Sequence, residues 1–559
     1  MRRGFVLGLF ALGMVVLVAR AVDLQVLKKD FLQGQGDARH LRVVSMPAHR
    51  GMITDRNGEP LAISTPVDSV WANPQELPLA DARLARLARV LDLDPDELMR
   101  RLASRGDREF VYIKRHVSPE LAQQVKALDL PGIALEREYR RYYPMGEVAA
   151  HVVGFTNIDD RGQEGLELAY DEWLAGVPGA KRVIKDRLGH IIENVEALRA
   201  PRAGKSLALS IDRRVQYLAY RELKLAVQAH GARSGSVVVM DPLSGEILAM
   251  VNQPAFNPNT RRDLRGELYR NRAVTDVFEP GSTMKPFTIA AALEAGRYEP
   301  ASFIETTPGY FRVSGHTIRD ARNYGRIDLG TVIQKSSNVG ASKIALSLEP
   351  EDLWSLYSRV GFGRITGVGY PGESAGVMSD YSRWREVERA TLAFGYGLSV
   401  TPLQLAQAYC AIAADGRMPE PSFVRRDQPA PRHEAMSVQT ARQVRAMLED
   451  VVSPAGTGSR AIIEGYRVAG KTGTVRKSTA GGYADDRYLA VFAGMAPASQ
   501  PRLVVVVMIN EPTGEEYYGG HVAAPVFRNV MAGALRLMNI PPDDLPALQA
   551  VQATQGGAA

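Results

Sequence analysis

Residues 236–252 read SVVVMDPLSGEILAMVN, two apolar runs on either side of the turn sequence Pro242-Leu243-Ser244-Gly245. Each run has the length of a strand and carries few polar side chains, a pattern typical of strands that are covered on both faces. The stretch therefore predicts a hairpin of buried strands, and the rest of the fold is interpreted outward from it.

Three further apolar runs lie near the end of the chain, at 467–475, 488–494 and 503–510. Short turns join them, which favours antiparallel neighbours. Mostly helical sequence fills the interval from 282 to 452, and a last helix is predicted at 524–538. The expected fold is α+β, with a five-stranded, mainly antiparallel sheet made from both ends of one domain and a helical insert between them.

The chain before this sheet mixes short strands, as at 67–71, with charged helical segments, as at 119–128. It contains no nucleophile–base pattern, so we interpret residues 28–225 as a mixed α/β scaffold domain. The second domain is placed at 226–540. The tail, 541–559, is rich in Pro, Gln, Ala and Gly and is expected to be disordered.

Two arginines near the N-terminus precede an uncharged apolar stretch at 4–19, which Arg20 closes. The stretch is slightly shorter than the ~20 residues that cross a bilayer, but the long Arg20 side chain can reach the interface. We predict that residues 1–27 are an uncleaved anchor with a cytoplasmic N-terminus. The alternative is a signal peptide cleaved at the A-x-A sequence 19–21, where an arginine is unfavourable. Either way the remaining chain is exported.

Length and composition limit the number of domains and the kinds of partner and cofactor. A chain of 559 residues exceeds one ordinary core, so at least two domains are expected. The net charge is +6 and no Lys/Arg run is interleaved with aromatic residues, which argues against a nucleic-acid partner. The single cysteine, Cys410, lies in an apolar run and is predicted to be buried. Without a Cys/His cluster the sequence predicts no metal and no cofactor.

Ser282 and Lys285 form an S-x-x-K motif within FEPGSTMKPF, residues 278–287. A Glu-Pro-Gly turn precedes Ser282 and helical sequence follows, so Ser282 is expected at a helix N-terminus, where backbone N–H groups are unpaired. The spacing places Lys285 on the same face, and a lysine of lowered pKa can take the proton of a serine. By itself the motif also fits a helix-capping serine beside a solvated lysine.

A second motif, Ser336-Ser337-Asn338, is followed by helical sequence. The Ser336 hydroxyl could relay a proton, and the Asn338 amide could hold both a lysine and a substrate carbonyl. Taken alone, the simpler interpretation is a polar helix start.

The third motif, Lys471-Thr472-Gly473-Thr474, lies on the predicted strand RVAGKTGTV. A glycine in a strand allows another backbone to approach closely. The flanking lysine and threonines supply a cation and hydroxyl groups suited to a carboxylate. By itself the motif could be an interruption of an edge strand.

The order S-x-x-K, S-x-N, K-T-G is the motif set of the penicillin-recognising serine enzymes. The chain resembles a class B penicillin-binding protein, most closely the division type, over nearly its whole length after the anchor. The matching stretches, besides the three motifs, are HRGMITDRNGEPLA (49–62), RYYPMGEVAAHVVGF (141–155), GQEGLE (162–167), TLAFGYGLSVTPLQLAQAY (391–409) and YYGGHVAAPVF (517–527).

The resemblance implies a penicillin-binding, serine β-lactamase-like transpeptidase fold and an attack on stem peptides that end in D-Ala-D-Ala. Ser282 would attack the carbonyl between the two D-alanines, and Lys285 would be the base, its pKa lowered by Lys471 and by burial. Ser336 and Asn338 would relay the proton and orient Lys285.

The resemblance also implies how the substrate is held. Backbone N–H groups of Ser282 and Thr474 would form the oxyanion hole. The substrate-binding residues would be Thr472, Gly473 and Thr474, acting with Lys471 on the terminal carboxylate, and Tyr517 and Tyr518, acting as an aromatic wall.

The resemblance also implies the acyl acceptor, the cellular location and the protein partners. An amine of a neighbouring stem peptide would resolve the acyl-enzyme during septal wall synthesis, and β-lactams would inhibit the enzyme by leaving Ser282 acylated. The protein would lie in the bacterial inner membrane with its catalytic domain in the periplasm. A membrane glycosyltransferase of the FtsW type and other division proteins would be its partners.

Several alternatives stay open within the enzyme class. They are an elongation-type transpeptidase, a D,D-carboxypeptidase that uses water as acceptor, and a second, conditionally used copy of the division enzyme. The last is suggested because only Met1 to Arg3 precede the apolar segment. A β-lactamase is disfavoured because no E-x-x-x-N occurs between Asn338 and Lys471. A non-catalytic scaffold protein would show a damaged motif, and a β-lactam sensor would have several membrane spans.

Overall fold

A computed structural model of the chain describes residues 2–28, 41–185, 191–260, 266–428, 430–479, 482–514 and 516–544. The chain divides into two compact units. Segments 52–63 and 142–172, which belong to the predicted scaffold, pack within the second unit. The domain boundary at 225 stays a prediction. The predicted disordered tail lies, from 545 onward, outside the described residues. The first unit comprises 1–51, 64–141 and 173–205, and the second comprises 52–63, 142–172 and 206–559.

The secondary structure of the described residues is as follows. The strands are β1 (Leu41–Met46), β2 (Ile53–Thr54), β3 (Pro60–Ala72), β4 (Val111–Val117), β5 (Ile133–Tyr142), β6 (Phe155–Thr156), β7 (Gly162–Glu164), β8 (Gly179–Lys185), β9 (Ile191–Arg199), β10 (Leu207–Ala208), β11 (Ser234–Met240), β12 (Ile247–Gln253), β13 (Phe303–Glu305), β14 (Tyr310–Val313), β15 (His316–Arg319), β16 (Arg326–Asp328), β17 (Arg417–Pro419), β18 (Arg432–Glu434), β19 (Ala469–Thr479), β20 (Gly482–Ala496) and β21 (Leu503–Asn510). The helices are α1 (Arg2–Val22), α2 (Arg83–Val90), α3 (Pro95–Ala103), α4 (Pro119–Ala127), α5 (Ala150–Val153), α6 (Gly165–Ala169), α7 (Asp171–Leu174), α8 (Arg213–Ala229), α9 (Gly266–Tyr269), α10 (Arg272–Thr275), α11 (Lys285–Glu294), α12 (Leu329–Gln334), α13 (Asn338–Ser347), α14 (Pro350–Arg359), α15 (Glu386–Leu392), α16 (Pro402–Ala413), α17 (Val438–Val451) and α18 (Gly519–Leu537).

The N-terminal helix α1 continues into a short π-helical stretch, Asp23–Leu27. The segment Arg3–Val26 is long and apolar enough to cross a membrane, in agreement with the predicted anchor. Its apolar side chains are exposed; Phe10, for example, is 77% exposed. Such a surface is stable only against lipid or another apolar partner, because exposing it to water is unfavourable.

The first unit contains a sheet on which three helices pack. Strand β3 pairs with β4 and β5, and helices α2, α3 and α4 contribute leucine and valine side chains to the core beneath it. Asp94 caps α3 and Ser118 caps α4, each by accepting a backbone N–H of its helix. Three antiparallel strands, β1, β8 and β9, form a separate sheet in this unit. The unit therefore has the mixed α/β character that was predicted.

The second unit is built around a five-stranded sheet in the order β12-β11-β21-β20-β19, with every neighbouring pair antiparallel. The two strands of the opening hairpin, β11 and β12, are buried along their whole length. The sheet predicted from the two ends of one domain is thus confirmed. Strand β19, which carries the K-T-G motif, lies at the edge of the sheet that the described residues form.

Helices cover both faces of this sheet. Helices α8 and α18 pack on one face, where Val237, Val505 and Phe527 share a core cluster. Helix α16 packs against β11, β20 and β21, and all of its residues are buried. The three layers explain why the central strands read as continuous apolar runs, since a strand covered on both faces shows no alternation.

The insert between β12 and β19 is mainly helical, as predicted. It also contains three small antiparallel pairs, β13 with β16, β14 with β15, and β17 with β18, which the sequence did not reveal. These strands are three or four residues long, too short to display a strand periodicity.

Two predicted helix starts differ from the structure. Ser282 lies in a 3₁₀ turn, Gly281–Met284, and the α-helix begins only at Lys285. The last helix begins at Gly519 rather than at 524 and contains Pro525. The glycines at 519 and 520 are weak helix formers and Pro525 suits the first turn of a helix, but burial of Gly519 and Gly520 against the sheet overrides both preferences.

Candidate active site

The turn that carries Ser282 is held on both sides by hydrogen bonds. The hydroxyl of Thr283 donates to the carbonyl of Pro280 at 2.7 Å, and the hydroxyl of Tyr409 donates to the carbonyl of Thr283 at 3.0 Å. Gly281 adopts a φ of +56°, a conformation that favours glycine. Early N–H groups of such a turn have no acceptor within it, so the N–H of Ser282 is suited to bind an anionic oxygen.

Lys285 is fully buried, and four oxygen atoms surround its amine. The Nζ atom lies 2.8 Å from Ser282 Oγ, 2.8 Å from the carbonyl oxygen of Ser336, 3.0 Å from Ser336 Oγ and 2.8 Å from Asn338 Oδ1. The S-x-x-K and S-x-N motifs, separated by about fifty residues in sequence, therefore meet at one nitrogen.

A neutral amine can satisfy all four of these partners. The Ser336 carbonyl and the Asn338 Oδ1 can only accept hydrogen bonds, so they occupy the two N–H bonds of a neutral amine. The remaining lone pair then has only hydroxyl groups as partners, and the Ser282 hydroxyl lies 2.8 Å away. This arrangement is that of a base in contact with the proton it removes.

Lys471 of strand β19 joins the same network through Ser336. Its Nζ lies 3.0 Å from Ser336 Oγ, the same distance as that from Lys285 Nζ to this hydroxyl. Ser336 has a φ of +59°, which is uncommon for a residue with a side chain. This conformation lets both its carbonyl and its hydroxyl face Lys285. The three motifs thus form one chain of contacts from Ser282 through Lys285 and Ser336 to Lys471.

Burial and charge both act on the two lysines. Burial lowers the pKa of Lys285 well below its usual value, and the positive charge of Lys471 lowers it further, whereas Asp320 acts in the opposite direction. Burial lowers the pKa of Lys471 to about 7. Both amines lie 3.0 Å from the same Ser336 hydroxyl in a buried site. Two charged ammonium groups repel strongly there, so a charged Lys471 favours a neutral Lys285.

Asp320 is a site residue that sequence reasoning missed. Its carboxylate accepts hydrogen bonds from the Ser337 hydroxyl at 2.6 Å, the Asn338 N–H at 2.6 Å and the Val339 N–H at 3.0 Å. It therefore fixes the first turn of helix α13, which presents Asn338 to Lys285. Nothing in the surrounding sequence distinguishes this aspartate from other polar loop residues.

The K-T-G strand lies directly against the Ser282 turn. A Cβ atom placed on Gly473 would lie 3.1 Å from the carbonyl oxygen of Pro280 and 3.2 Å from Thr283 Cγ2. This confirms the expectation that a glycine here allows a second backbone to approach. The neighbouring hydroxyls are positioned as well: Thr472 Oγ1 lies 3.0 Å from Thr457 Oγ1, and Thr474 Oγ1 accepts the N–H of Gly519 at 2.9 Å.

A cavity of about 460 Å³ opens beside Ser282. The two lysines are buried behind its wall. The hydroxyl and amide groups of the three motifs face it, together with residues that the sequence did not single out. The lining includes Ser282, Ser336, Asn338, Thr472, Thr474, Tyr518, Tyr324, Thr457, Ser459 and His521.

The two predicted wall tyrosines differ in position. Tyr518 lines the cavity and is 53% exposed. Among the described residues, Tyr517 is not part of the cavity wall. Its ring stacks between the rings of Tyr518, at 4.5 Å, and Tyr488, at 4.1 Å. Tyr517 therefore supports the aromatic face that Tyr518 presents, and Tyr488 is a further member of the stack that the sequence did not indicate.

The structure thus brings Ser282, Lys285, Ser336, Asn338 and Lys471 together at one wall of a cavity. Thr472 and Thr474 line the cavity, and Gly473 lies against the Ser282 turn. This set places one hydroxyl against a buried amine, a second hydroxyl between two amines, and threonine hydroxyls at the cavity wall. Within the part of the chain that the structure describes, no group of three or more His, Cys, Asp or Glu side chains is arranged to hold a metal ion. Acyl transfer is the chemistry that such a set performs.

Two family models match the sequence. The penicillin binding protein transpeptidase domain matches residues 235–532, and the penicillin-binding protein dimerisation domain matches residues 45–209. Among relatives, the peptidoglycan D,D-transpeptidase FtsI of Escherichia coli strain K12 is 46% identical over 543 residues, which cover 96% of this chain and 92% of that protein. The probable peptidoglycan D,D-transpeptidase PbpC of Pseudomonas aeruginosa is 43% identical over 546 residues, covering 98% and 97%.

Solved structures are similar as well. The crystal structure of penicillin binding protein 3 from Mycobacterium tuberculosis, complexed with aztreonam, superposes with a TM-score of 0.70 at 30% identity and covers 90% of this chain and 98% of that one. The apo transpeptidase domain of Burkholderia pseudomallei penicillin-binding protein 3 has a TM-score of 0.56 at 44% identity and covers 60% of this chain and 98% of that one.

Proposed function

The chain belongs to the class B penicillin-binding proteins and is a peptidoglycan D,D-transpeptidase, and we propose that Ser282 is its nucleophile in septal wall synthesis. The observation that carries this assignment is the 2.8 Å contact between Ser282 Oγ and the buried Lys285 amine. Few other arrangements bring a hydroxyl against a lysine whose pKa is lowered by both burial and a second cation.

The acylation step follows from the contacts. Neutral Lys285 takes the Ser282 proton as Oγ attacks the carbonyl between the two D-alanines. The N–H groups of Ser282 and Thr474 stabilise the oxyanion. Thr472 and Thr474 hold the terminal carboxylate, and the charge of Lys471 behind them attracts it. Ser336 lies between the two lysine amines, so it passes the proton to the leaving D-Ala amine. The products are an ester on Ser282 and free D-Ala.

In the second step an acceptor amine replaces the serine as the attacking group. The side-chain amine of a neighbouring stem peptide attacks the ester, Lys285 removes a proton from that amine, and the Ser282 oxygen regains a proton as the new amide forms. A β-lactam enters the same first step, since opening of its ring gives an ester on Ser282. Its leaving nitrogen stays tethered, which hinders attack by the acceptor.

The cellular setting is part of the proposal. The N-terminal helix anchors the protein in the inner membrane, and the catalytic unit works in the periplasm, where the stem peptides are. The septal role rests on the resemblance of the SSNVG and FGYGLSVTPLQLA segments to the division type. A membrane glycosyltransferase of the FtsW type, which would supply glycan strands, and other division proteins are the proposed partners.

The nucleophile is tested by covalent labelling. Membranes that contain the full chain, or its Ser282→Ala variant, are incubated with fluorescent penicillin and resolved under denaturing conditions. We expect a labelled band for the wild type and none for the variant. Ser459→Ala is a matched control, because Ser459 lines the same cavity but lacks a lysine contact in the described network; it should label like the wild type. Equal labelling of Ser282→Ala would refute the assignment.

The acceptor and the process need separate tests. A donor peptide ending in D-Ala-D-Ala is incubated with the protein in the presence and absence of a second stem peptide. Cross-linked product supports transfer, whereas trimmed donor alone supports the D,D-carboxypeptidase alternative. Depletion in cells distinguishes the process: filaments without septa support the septal role, rounded cells support an elongation role, and unchanged cells support a second, conditionally used copy.

A further inference from the structure

Glu279 lies three residues before Ser282, and its side chain faces away from the lysine network. Its Oε1 atom accepts the N–H of Gly397 at 2.8 Å and the hydroxyl of Tyr483 at 2.9 Å. Gly397 belongs to the segment 394–400, which we name the clamp segment, and Tyr483 belongs to strand β20, opposite Ser478 of β19. One carboxyl oxygen therefore connects three separate parts of the fold.

The clamp segment contacts the nucleophile turn on both sides of Glu279. Phe278 and Val400 exchange two backbone hydrogen bonds of 2.9 Å, and the N–H of Gly281 donates to the carbonyl of Gly395 at 3.2 Å. Between these backbone contacts, the Glu279 side chain also reaches the β19–β20 hairpin.

Tyr483, which binds Glu279, lies next to β19, the edge strand that carries K-T-G. The ring of Tyr483 packs edge-to-face on Tyr396 of the clamp segment at 5.2 Å, and the hydroxyl of Tyr396 accepts the N–H of Arg476 at 3.3 Å. Arg476 is two residues beyond Thr474. The Glu279 contacts thus link the turn that holds the nucleophile to the strand that supplies the second oxyanion donor.

The second oxygen of Glu279 is buried and has no hydrogen-bond partner among the residues that the structure describes. Burial raises the pKa of this carboxyl. A surface carboxylate held only for solubility would be hydrated, whereas this group gives up hydration and receives two hydrogen bonds at one oxygen. Its role is therefore that of a hydrogen-bond acceptor between elements.

We propose that Glu279 is a positioning residue, which sets the distance between the Ser282 turn and strand β19 by binding the clamp segment and the β20 hairpin at once. This rests on the proposed function, because it concerns the geometry of the same acylation step. Attack requires Ser282 Oγ and the Thr474 N–H on the same carbonyl, and small misplacement of such groups slows reaction strongly.

The test measures acylation of the full chain by fluorescent penicillin over a range of concentrations, which separates the binding constant from the acylation rate constant. Glu279→Ala should lower the acylation rate constant by about tenfold or more and change the binding constant by less than about threefold. Glu279→Gln should stay within about threefold of the wild type, because its amide oxygen can accept both hydrogen bonds. A Glu279→Gln variant as slow as Glu279→Ala would overturn the proposal in favour of a role for charge.

Tyr483→Phe removes only the hairpin contact at a residue that is 48% exposed, so it keeps the proposal testable if Glu279→Ala does not fold. It should lower the acylation rate constant about threefold. Added to Glu279→Ala it should have no further effect, because the hydrogen bond it removes is already lost. Wild-type rates in Tyr483→Phe, or additive effects in the double variant, would contradict the proposal. Ser282→Ala measured in parallel separates the two questions: if it labels, the proposed function fails, whatever Glu279 does.

Discussion

At the scale of single residues, the site depends on two buried amines that share one hydroxyl. Ser336 Oγ lies 3.0 Å from the Nζ atoms of both Lys285 and Lys471. The two lysines compete for a single proton, because charging both in a buried site is unfavourable. Which lysine carries the charge decides whether Ser282 has a base.

We predict that Lys471→Met shifts the pH dependence of acylation upward. Burial lowers the pKa of Lys471 to about 7, so below that pH its charge keeps Lys285 neutral. Without this cation Lys285 binds a proton more readily, and a higher pH is needed to free the base. Acylation by penicillin, measured from pH 5 to 9, should show its acidic limb moved upward by about one pH unit.

Lys335→Met is the matched control for that measurement. Lys335 also lines the cavity, but its Nζ donates to the carbonyl of Ala455 at 2.7 Å, away from Lys285. Its removal should leave the position of the acidic limb unchanged. An unshifted limb in Lys471→Met would mean that Lys471 does not control the charge of Lys285.

At the scale of elements, the site is assembled from the first turn of α13, the edge strand β19 and the Ser282 turn. Helix α13 is oriented by Asp320, which accepts three hydrogen bonds at the helix start. Strand β19 approaches the turn through Gly473. Each of these three elements is a short stretch of sequence. The contacts that hold them next to one another come from residues in other stretches of the chain.

We predict that Asp320→Ala slows acylation by about tenfold or more and destabilises the fold by about 1–2 kcal/mol, as loss of a charged helix cap does. Asp320 raises the pKa of Lys285, so its removal favours the neutral base. A slower rate must therefore come from displacement of Asn338. Acylation rate and thermal unfolding midpoint are the measurements.

Asp94→Ala provides the comparison, because Asp94 caps helix α3 of the first unit through the N–H of Glu97. It should lower the unfolding midpoint without slowing acylation. If Asp320→Ala acylated as fast as Asp94→Ala, Asp320 would be a purely structural cap.

Gly473→Ala tests the close approach of β19 and the Ser282 turn. The added methyl group would meet the Pro280 carbonyl at 3.1 Å, so the turn must move away from the strand. We expect acylation to fall by about tenfold or more, measured by penicillin labelling over time. Gly514→Ala, where a Cβ has no atom within 4 Å, should label normally, and an equal rate in both variants would argue against the contact.

At the scale of the whole molecule, the membrane segment and the catalytic residues lie in separate stretches of the chain. The candidate span is Arg3–Val26, whereas every residue of the three motifs lies in the second compact unit. Attachment to the membrane and the chemistry of Ser282 should therefore be separable.

We predict that a chain beginning at residue 41 remains in the soluble fraction after lysis and still labels with fluorescent penicillin. Removal of the apolar helix eliminates the surface that favours lipid, and it removes no residue of the site. The full chain should sediment with membranes under the same conditions. Sedimentation of the shortened chain would indicate a second membrane-binding surface, and loss of labelling would show that the helix supports the fold.

The amino-acid sequence alone was enough to predict the fold class, the five-stranded sheet, an apolar helix long enough to span a membrane, and the residues that the structure brings together at the candidate site. Long apolar runs indicate buried strands. The three motifs are recognisable because acyl transfer by a serine requires these residue types in combination. Cys410, predicted to be buried, is indeed fully buried. These features are local, so they can be recognised without knowledge of distant contacts.

The arrangement of those residues follows from the folded chain, because their contacts come from several different elements. The 3₁₀ turn at Ser282, the left-handed backbone of Ser336, the support of α13 by Asp320 and the contacts of Glu279 all depend on partners far away in sequence. The pairing of β13 with β16 and the stacking of Tyr517 on Tyr488 also join residues from separate parts of the chain. A lone aspartate, glutamate or tyrosine carries no pattern in the chain, and its role arises when packing brings a donor within hydrogen-bond distance or a ring into contact.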